Sequence, residues 1–256
     1  MAGNASAPIS YSAALSGSSS NQSSTPQSAP SRAPPQQSQQ PRNPPQQGHP
    51  HYGIPQKRSP SPSHRPQIQT EDEPVYVLTL LTDKPHHDRM TALRKQYFPK
   101  HLNKLEAHLT LFHALPGSKL DSIVIPTILS VARRTAPFKL RANKVMRMKR
   151  GLGIALAKTQ GADQTKEVHA QLRDAWLQDG QRWLSEQDRG GLGHVHYTIM
   201  NKVDDVEDVE RAQEEVEKSF KGDVGVAEGL VLFRYDRGFW RWERKFEFGG
   251  EAPSGA

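Results

Sequence analysis

Residues 108–111 read His-Leu-Thr-Leu and residues 196–199 read His-Tyr-Thr-Ile, so one pattern of histidine, hydrophobic residue, threonine and hydrophobic residue occurs twice. Both segments are rich in β-forming residues, which predicts strands. Residues i and i+2 of a strand point to the same face, so each segment places an imidazole beside a hydroxyl, about 7 Å apart along the backbone. The intervening side chains are expected to point toward a core under helices, namely Leu109, Leu111, Tyr197 and Ile199.

Strands and helices alternate on either side of the two motifs. Hydrophobic periodicity predicts strands at residues 75–81, 107–114, 138–149, 153–158, 195–203, 228–235 and 239–248, and helices at 88–97, 118–134, 166–177 and 206–220. We expect Pro126 to kink or split its helix, and we expect a bulge near Asn143. The order strand, helix, strand, helix, strand occurs around each motif, which indicates an α+β domain with mostly antiparallel sheets.

The first 72 residues differ in composition from the rest of the chain. They are dominated by Ser, Pro, Gln and Gly, and they predict a disordered basic tail before a folded domain at residues 73–250. Residues 1–70 contain five Arg and Lys and no Asp or Glu, so they carry +5 of the total charge of +7. The remaining 29 Arg and Lys and 27 Asp and Glu give the domain only +2, which is weak evidence for nucleic-acid binding.

Composition also excludes several classes of protein. The chain has no cysteine, which rules out disulfides, Cys-ligated metals and thiol nucleophiles. Its start lacks the charged and apolar regions of a secretory signal, and no apolar run approaches the ~20 residues that cross a bilayer. We therefore expect a cytoplasmic or nuclear protein without a membrane partner, and we expect it to be a monomer.

Two His-and-Thr segments that face each other suit a displacement reaction at phosphorus. Such a reaction needs a base for the attacking oxygen and an acid for the leaving oxygen, and histidine suits both roles because its unperturbed pKa is about 6.5. The non-bridging oxygens need fixed hydrogen-bond donors, which Thr110 and Thr198 can provide. This predicts His108 and His196 as the catalytic residues, with no metal, no cofactor and no covalent enzyme intermediate.

The two motifs, 88 residues apart, resemble those of the 2H phosphoesterase superfamily, which includes the 2′–5′ RNA ligase-like proteins and cyclic nucleotide phosphodiesterases. The resemblance covers approximately residues 73–248. It implies a bilobal α+β fold with pseudo-twofold symmetry and two mostly antiparallel sheets around a central cleft. It also implies that His108 and His196 are the acid–base pair and that Thr110 and Thr198 hold phosphate oxygens. For a 2′,3′-cyclic end, we expect His196 to be the base and His108 the acid.

The resulting prediction is a metal-independent phosphodiesterase. It would hydrolyse or transesterify a 2′,3′-cyclic or 2′–5′ phosphodiester of RNA ends or small nucleotides, with ligation as the less favoured direction. One alternative is an RNA- or nucleotide-binding module of the same fold without turnover. Another is a zinc hydrolase, because His194 and His196 form a His-x-His element that is common in zinc sites. That alternative needs a further ligand, such as His108 or an Asp, and leaves the two threonines unexplained.

Several neighbours of the motifs are candidate cleft-lining residues, namely His194, Phe112 and Tyr235. Phe112 has an even offset from His108, so it either walls the cleft or packs in the core. His113 has an odd offset and is expected to face away unless a bulge intervenes. The aromatic residues of the last hairpin are interleaved with arginines and are expected to pack as core, with base stacking as the alternative; they are Tyr235, Phe239, Trp240 and Trp242.

Overall fold

The computed structural model describes residues 72–178 and 182–251. Apart from its last residue, the predicted tail at 1–72 lies outside the described residues. All the predicted strands and helices are present, and one short helix, α4, is additional. The elements are β1 (Val75–Thr82), α1 (Lys84–Tyr97), β2 (Thr110–Pro116), α2 (Ile125–Arg134), β3 (Phe138–Met148), β4 (Gly151–Leu156), α3 (Ala162–Trp176), α4 (Glu186–Arg189), β5 (His196–Met200), α5 (Val206–Ser219), β6 (Asp223–Asp236) and β7 (Phe239–Glu247).

The strand order of the sheet is symmetric. The strands lie in the order β2-β1-β6-β3-β4-β5, and every pairing is antiparallel. If β1, β2 and β3 are exchanged with β4, β5 and β6, respectively, the order becomes β5-β4-β3-β6-β1-β2, which is the original order read from the other edge. The expected α+β fold with pseudo-twofold symmetry is therefore confirmed. The two halves have exchanged a strand, since β6 lies beside β1 and β3 lies beside β4.

Strand β6 joins the two lobes that were expected as separate sheets. Its first residues pair with β3, and its later residues pair with β1 on one side and with β7 on the other. With 14 residues, β6 is long enough to serve both lobes, so their strands form one continuous hydrogen-bonded sheet. The two motifs lie at opposite ends of this strand order, at β2 and β5.

The main core covers one face of the sheet. On β1, Tyr76, Leu78 and Leu80 belong to the large hydrophobic cluster under the helices, whereas Val77, on the opposite face, is buried outside that cluster. The side chains between the motif residues also belong to the main cluster, which confirms their predicted orientation; they are Leu109, Leu111, Tyr197 and Ile199.

Local sequence signals explain most element boundaries. Helix α1 begins four residues earlier than predicted, because Asp83 accepts a hydrogen bond from the His86 amide as an N-cap and Pro85 is tolerated in the first turn. Pro126 splits its helix as expected: a 3₁₀ turn and a π-helical turn precede α2. The bulge predicted at Asn143 is also present. No helix within residues 72–178 or 182–251 is long and apolar enough to cross a bilayer.

Candidate active site

The two motifs have the same pattern of exposure. His108, Thr110, His196 and Thr198 are half-buried, and the residue after each of them is fully buried. His108 lies just before β2, where the chain is still held beside β1 by a 3.0 Å hydrogen bond from the Leu80 amide to the Leu109 carbonyl oxygen. Each motif therefore presents an imidazole and a hydroxyl on the face away from the main core.

Both motif histidines are oriented by the backbone in the same way. Nδ1 of His108 lies 2.7 Å from the carbonyl oxygen of Glu106, and Nδ1 of His196 lies 2.7 Å from the carbonyl oxygen of His194. A carbonyl oxygen only accepts, so Nδ1 must carry the proton that it donates. In the neutral ring Nε2 is then unprotonated. Each Nε2 can accept a proton from substrate, or return one, without a change of ring orientation.

The two imidazoles have lowered pKa values. Burial, reinforced by the positive charge of Arg94, lowers the pKa of His108 to about 3. Burial also lowers the pKa of His196, with a smaller contribution from His194. A charge on His196 lowers the pKa of His108, so the two rings are close enough to interact. At neutral pH both imidazoles are therefore uncharged.

Arg94, on α1, connects the segment before the first motif to the strand of the second. The residue is only 5% exposed. Its Nε donates to the side chain of Asn103 and to the carbonyl oxygen of Leu105, at 3.0 and 3.1 Å, and its Nη1 donates to the carbonyl oxygen of Thr198 at 2.5 Å. The guanidinium thus holds together two chain segments that lie far apart in the strand order, and this contact helps to bring the motifs together.

Replacing Arg94 by leucine is expected to lower the free energy of unfolding by about 3 kcal/mol, because buried carbonyl groups lose a charged donor. Urea unfolding would measure this. Lys95, its exposed neighbour on the same helix, provides the control: Lys95→Leu is expected to change the free energy of unfolding by less than about 0.5 kcal/mol. Equal stabilities for the two variants would show that Arg94 does not connect the segments.

The second motif is also anchored from the core side. Tyr197, between His196 and Thr198, has its hydroxyl 3.0 Å from Nε2 of His86, which is fully buried. Nδ1 of His86 lies 2.5 Å from the carboxylate of Asp223, which also pairs with Arg89. Burial raises the pKa of Tyr197, so the phenol stays protonated. These hydrogen bonds hold Tyr197 in place, and they therefore also hold the adjacent backbone of His196.

Gly153, on β4, leaves room for the His196 ring. A Cβ atom at this position would lie 2.9 Å from Cδ2 of His196 and 3.3 Å from the carbonyl oxygen of Tyr197. Carbon atoms do not approach this closely without displacement, so a side chain at residue 153 would move the imidazole. Sequence reasoning missed this role, because a glycine on a strand does not reveal which neighbour needs the space.

Comparison with known families agrees with this geometry. The family model described as the 2′–5′ RNA ligase superfamily matches residues 82–239, which is more than half of the chain and includes both motifs. This protein belongs to the 2′–5′ RNA ligase superfamily. The expected membership of the 2H phosphoesterases is thereby confirmed.

More distant relatives have been found in bacteria. The chain is 25% identical over 107 residues to a protein of Oceanobacillus iheyensis named "Putative phosphoesterase OB1230", a match that covers 41% of this chain and 62% of that one. Solved structures similar to this superfamily member include TT0787 of Thermus thermophilus, at 15% identity and a TM-score of 0.49, covering 70% of this chain and 100% of that one. Apo LigT of E. coli is 13% identical with a TM-score of 0.44, and the match covers 68% of this chain and 96% of LigT.

In this member of the superfamily, bulges change which neighbours face the motif histidines. Strand β2 contains extra residues on both sides of Phe112, relative to β1. Each extra residue reverses the alternation of side chains. Phe112 is therefore fully buried and stacks on His169, with ring centroids 4.4 Å apart, rather than lining a cleft. His113, expected to face away, lies near both motif histidines, since its charge lowers the pKa of each.

His113 is held by Asp188, a buried carboxylate on α4. Asp188 accepts hydrogen bonds from the backbone amides of His113 and Ala114, each at 2.9 Å, and lies 3.3 Å from Nδ1 of His113. These bonds lower the pKa of the carboxyl despite its burial. The carboxylate thereby ties β2 to the helix that precedes the second motif.

The remaining candidates lie close to the motifs. His194 is exposed, and its carbonyl oxygen orients His196. Tyr235 is half-buried and pairs with Trp240 across the β6–β7 ladder. The Trp240 ring contacts His108, with centroids 4.3 Å apart, and stacks on Phe233. Trp240 is thus a candidate site residue that the sequence suggested only as one of four hairpin aromatics.

The described residues do not provide the set of ligands that the zinc alternative requires. Among residues 72–178 and 182–251, no three His, Asp or Glu side chains are arranged to hold a metal ion. Nδ1 of His196 is already hydrogen-bonded to the carbonyl oxygen of His194.

Proposed function

We propose that this protein is a metal-independent phosphodiesterase that hydrolyses or transesterifies a 2′,3′-cyclic or 2′–5′ phosphodiester, with His108 and His196 as its acid–base pair. The observation that supports this most strongly is the matched orientation of the two imidazoles. Each ring donates from Nδ1 to a backbone carbonyl oxygen at 2.7 Å and keeps Nε2 for substrate. Two such groups are what an in-line displacement at phosphorus requires.

In the proposed hydrolysis of a 2′,3′-cyclic phosphate, a water oxygen attacks phosphorus and gives its proton to Nε2 of one histidine. The bond from phosphorus to the leaving ribose oxygen breaks, and that oxygen takes a proton from Nε2 of the other histidine. Thr110 and Thr198 donate hydrogen bonds to the non-bridging oxygens, which carry the negative charge. Exchange with solvent then restores the two protonation states.

The pKa order supports assigning His108 as the base and His196 as the acid, opposite to the assignment made from the sequence. The Arg94 cation helps to lower the pKa of His108 to about 3, so this ring is free to accept a proton. Arg94 is not among the groups that lower the pKa of His196. Of the two rings, His196 is therefore the one that more readily carries the proton for the leaving oxygen.

We expect kcat/KM to show a bell-shaped dependence on pH with an optimum below about pH 6.5. The acidic limb reports His108, which must be neutral, and the basic limb reports His196, which must be protonated. Because both pKa values are lowered, both limbs lie on the acidic side. Initial rates on a 2′,3′-cyclic mononucleotide at pH values from about 2 to about 9 would measure both limbs, and an optimum above about pH 7.5 would contradict the assignment.

One assay tests the proposed reaction class. The full chain would be incubated with 2′,3′-cyclic mononucleotides and with short RNA oligonucleotides that end in a 2′,3′-cyclic phosphate, in the presence of EDTA. Turnover to a phosphomonoester is the expected result. Loss of activity in EDTA would contradict the metal-independent mechanism. Binding without turnover would instead indicate a nucleotide-binding module.

A further inference from the structure

A third histidine lies on the same strand as the first motif and on the same face. Strand β2 places two residues, His113 and Ala114, opposite the single residue Val77 of β1. The Val77 side chain points away from the main core, as does that of Thr110 in the first motif. Ala114 is buried but also lies outside the main hydrophobic cluster. His113 therefore emerges on the face of the sheet that carries the motif residues.

His113 interacts electrostatically with both motif histidines. Its charge lowers the pKa of His108 by more than the charge of His196 does, and it also lowers the pKa of His196. One group can act on two histidines of different strands only if it lies near both of them. Together with the strand face, this places His113 beside the position that a phosphate between the two motifs would occupy.

Asp188 holds the His113 imidazole from the side of α4. The carboxylate is only 1% exposed, and its Oδ1 lies 3.3 Å from Nδ1 of His113. Burial acts to raise the pKa of the Asp188 carboxyl, but its hydrogen bonds and the charge of His113 lower that pKa overall. The group is therefore ionised at neutral pH and only accepts, so Nδ1 of His113 donates to it. A buried carboxylate is also the partner that allows an imidazole to carry a positive charge away from water.

The attachment of β2 to α4 does not by itself require a histidine. The two shortest bonds of Asp188, each 2.9 Å, come from the backbone amides of His113 and Ala114. Any residue except proline at position 113 would donate the first of these bonds. The imidazole adds only the 3.3 Å contact. Its capacity to carry a positive charge is thus a property that the attachment does not use.

The proposed reaction has a use for such a charge. Negative charge develops on the non-bridging oxygens during displacement at phosphorus, and a charged donor stabilises it more than a neutral hydroxyl does. Thr110 and Thr198 are neutral donors. Arg94 directs its guanidinium to backbone carbonyl oxygens, those of Leu105 and Thr198. A fixed cation beside the phosphate position therefore adds what the two motifs lack.

We propose that His113, held by Asp188, is a third functional histidine of this site, and that in its protonated form it stabilises the negative charge that develops on the phosphate. This inference rests on the proposed function, because it assigns a further residue to the same reaction.

The titratable groups around His113 have separate roles in this proposal. His108 and His196 transfer protons, and Asp188 balances the charge of His113. His169, on α3, also interacts with His113, but burial and the charge of Arg173 lower the pKa of His169 to about 4. His169 is therefore uncharged at neutral pH and does not supply the cation.

One substitution separates the charge of His113 from its bond to Asp188. In His113→Asn, the side-chain amide nitrogen takes roughly the place of Nδ1 and can still donate to Asp188, but the side chain cannot become charged. We expect kcat/KM on a 2′,3′-cyclic mononucleotide to fall about 10²-fold, with little change in the thermal unfolding midpoint. The control is His101→Gln, which removes an exposed histidine after α1 and should change kcat/KM by less than about twofold.

The dependence on pH distinguishes a charge effect from a structural one. The charge of His113 lowers the pKa of both motif histidines, so its removal should raise both pKa values. Both limbs of the kcat/KM profile should then move to higher pH in His113→Asn. Loss of a purely structural contact would lower the rate without moving both limbs.

Binding of inorganic phosphate tests the charge without turnover. We expect His113→Asn to raise the Kd for inorganic phosphate about tenfold at about pH 6, measured by calorimetry, because the anion loses a charged donor. Wild-type kcat/KM in His113→Asn with unmoved limbs would overturn this inference and leave the phosphodiesterase intact. If the wild type does not turn over the cyclic nucleotide, the proposed function fails. Equal affinities of the wild type and His113→Asn for phosphate would then overturn the charge at His113 as well.

Discussion

Alanine in place of His196 is expected to lower kcat/KM on a 2′,3′-cyclic nucleotide by about 10³-fold, and alanine in place of His108 by a similar factor. In the proposed mechanism each substitution removes a group that transfers a proton in the transition state, and water cannot replace it in a fixed position. Because the proposed mechanism uses the two histidines as one unit, the double variant should be little slower than either single variant. Steady-state rates at the pH optimum would measure these effects.

The matched control for this prediction is His194→Ala. His194 is exposed and orients His196 through its backbone carbonyl, which alanine retains. We expect its kcat/KM to change by less than about threefold, since only a weak charge effect on His196 is lost. Substantial turnover by the His108 or His196 variants would refute the acid–base assignment. A large loss of activity in the His194 variant would instead support a metal site formed by His194 and His196.

The second large effect is expected from a single methyl group at Gly153. Gly153→Ala places a Cβ atom 2.9 Å from Cδ2 of His196, so the imidazole must rotate and its bond to the His194 carbonyl oxygen must weaken. A displacement of about 1 Å in a catalytic group lowers kcat by about 10²-fold. The fold should persist, because the side chain that must move, His196, is only half-buried.

Gly193→Ala is the control for this effect. Gly193 lies in the loop before the second motif, and a Cβ atom there would meet no other atom within 4 Å. It should retain the activity of the wild type, and circular dichroism should show that both variants are folded. If Gly153→Ala is as active as Gly193→Ala, the His196 ring does not lie against residue 153 during catalysis.

The sequence predicted the elements and the motif residues because both depend on local patterns. Alternating apolar residues placed the strands, and Pro126 and Asn143 marked the irregularities correctly. The orientation of Leu109 and Tyr197 followed from the two-residue period of a strand. These features require no knowledge of which segments meet in the folded chain.

The sequence did not predict the features that depend on contacts between distant segments. The bulges of β2 turn Phe112 into the core and bring His113 near the motif histidines, but their position depends on pairing with β1. Arg94 looks like an ordinary surface residue of an amphipathic helix until its partners at Leu105 and Thr198 are known. Gly153 is equally uninformative until β5 is placed beside β4.

The exchanged strand β6 has a consequence for how the active site is made. Its pairing with β1 joins residues about 150 positions apart, such as Thr79 and Val231. Both histidine motifs precede β6 in the chain, so neither lobe has its full sheet when its motif has been synthesised. Contacts of such long range form slowly. We therefore expect the two motifs to be brought together late in folding, and a chain truncated before residue 223 to carry both motifs without holding them in one site.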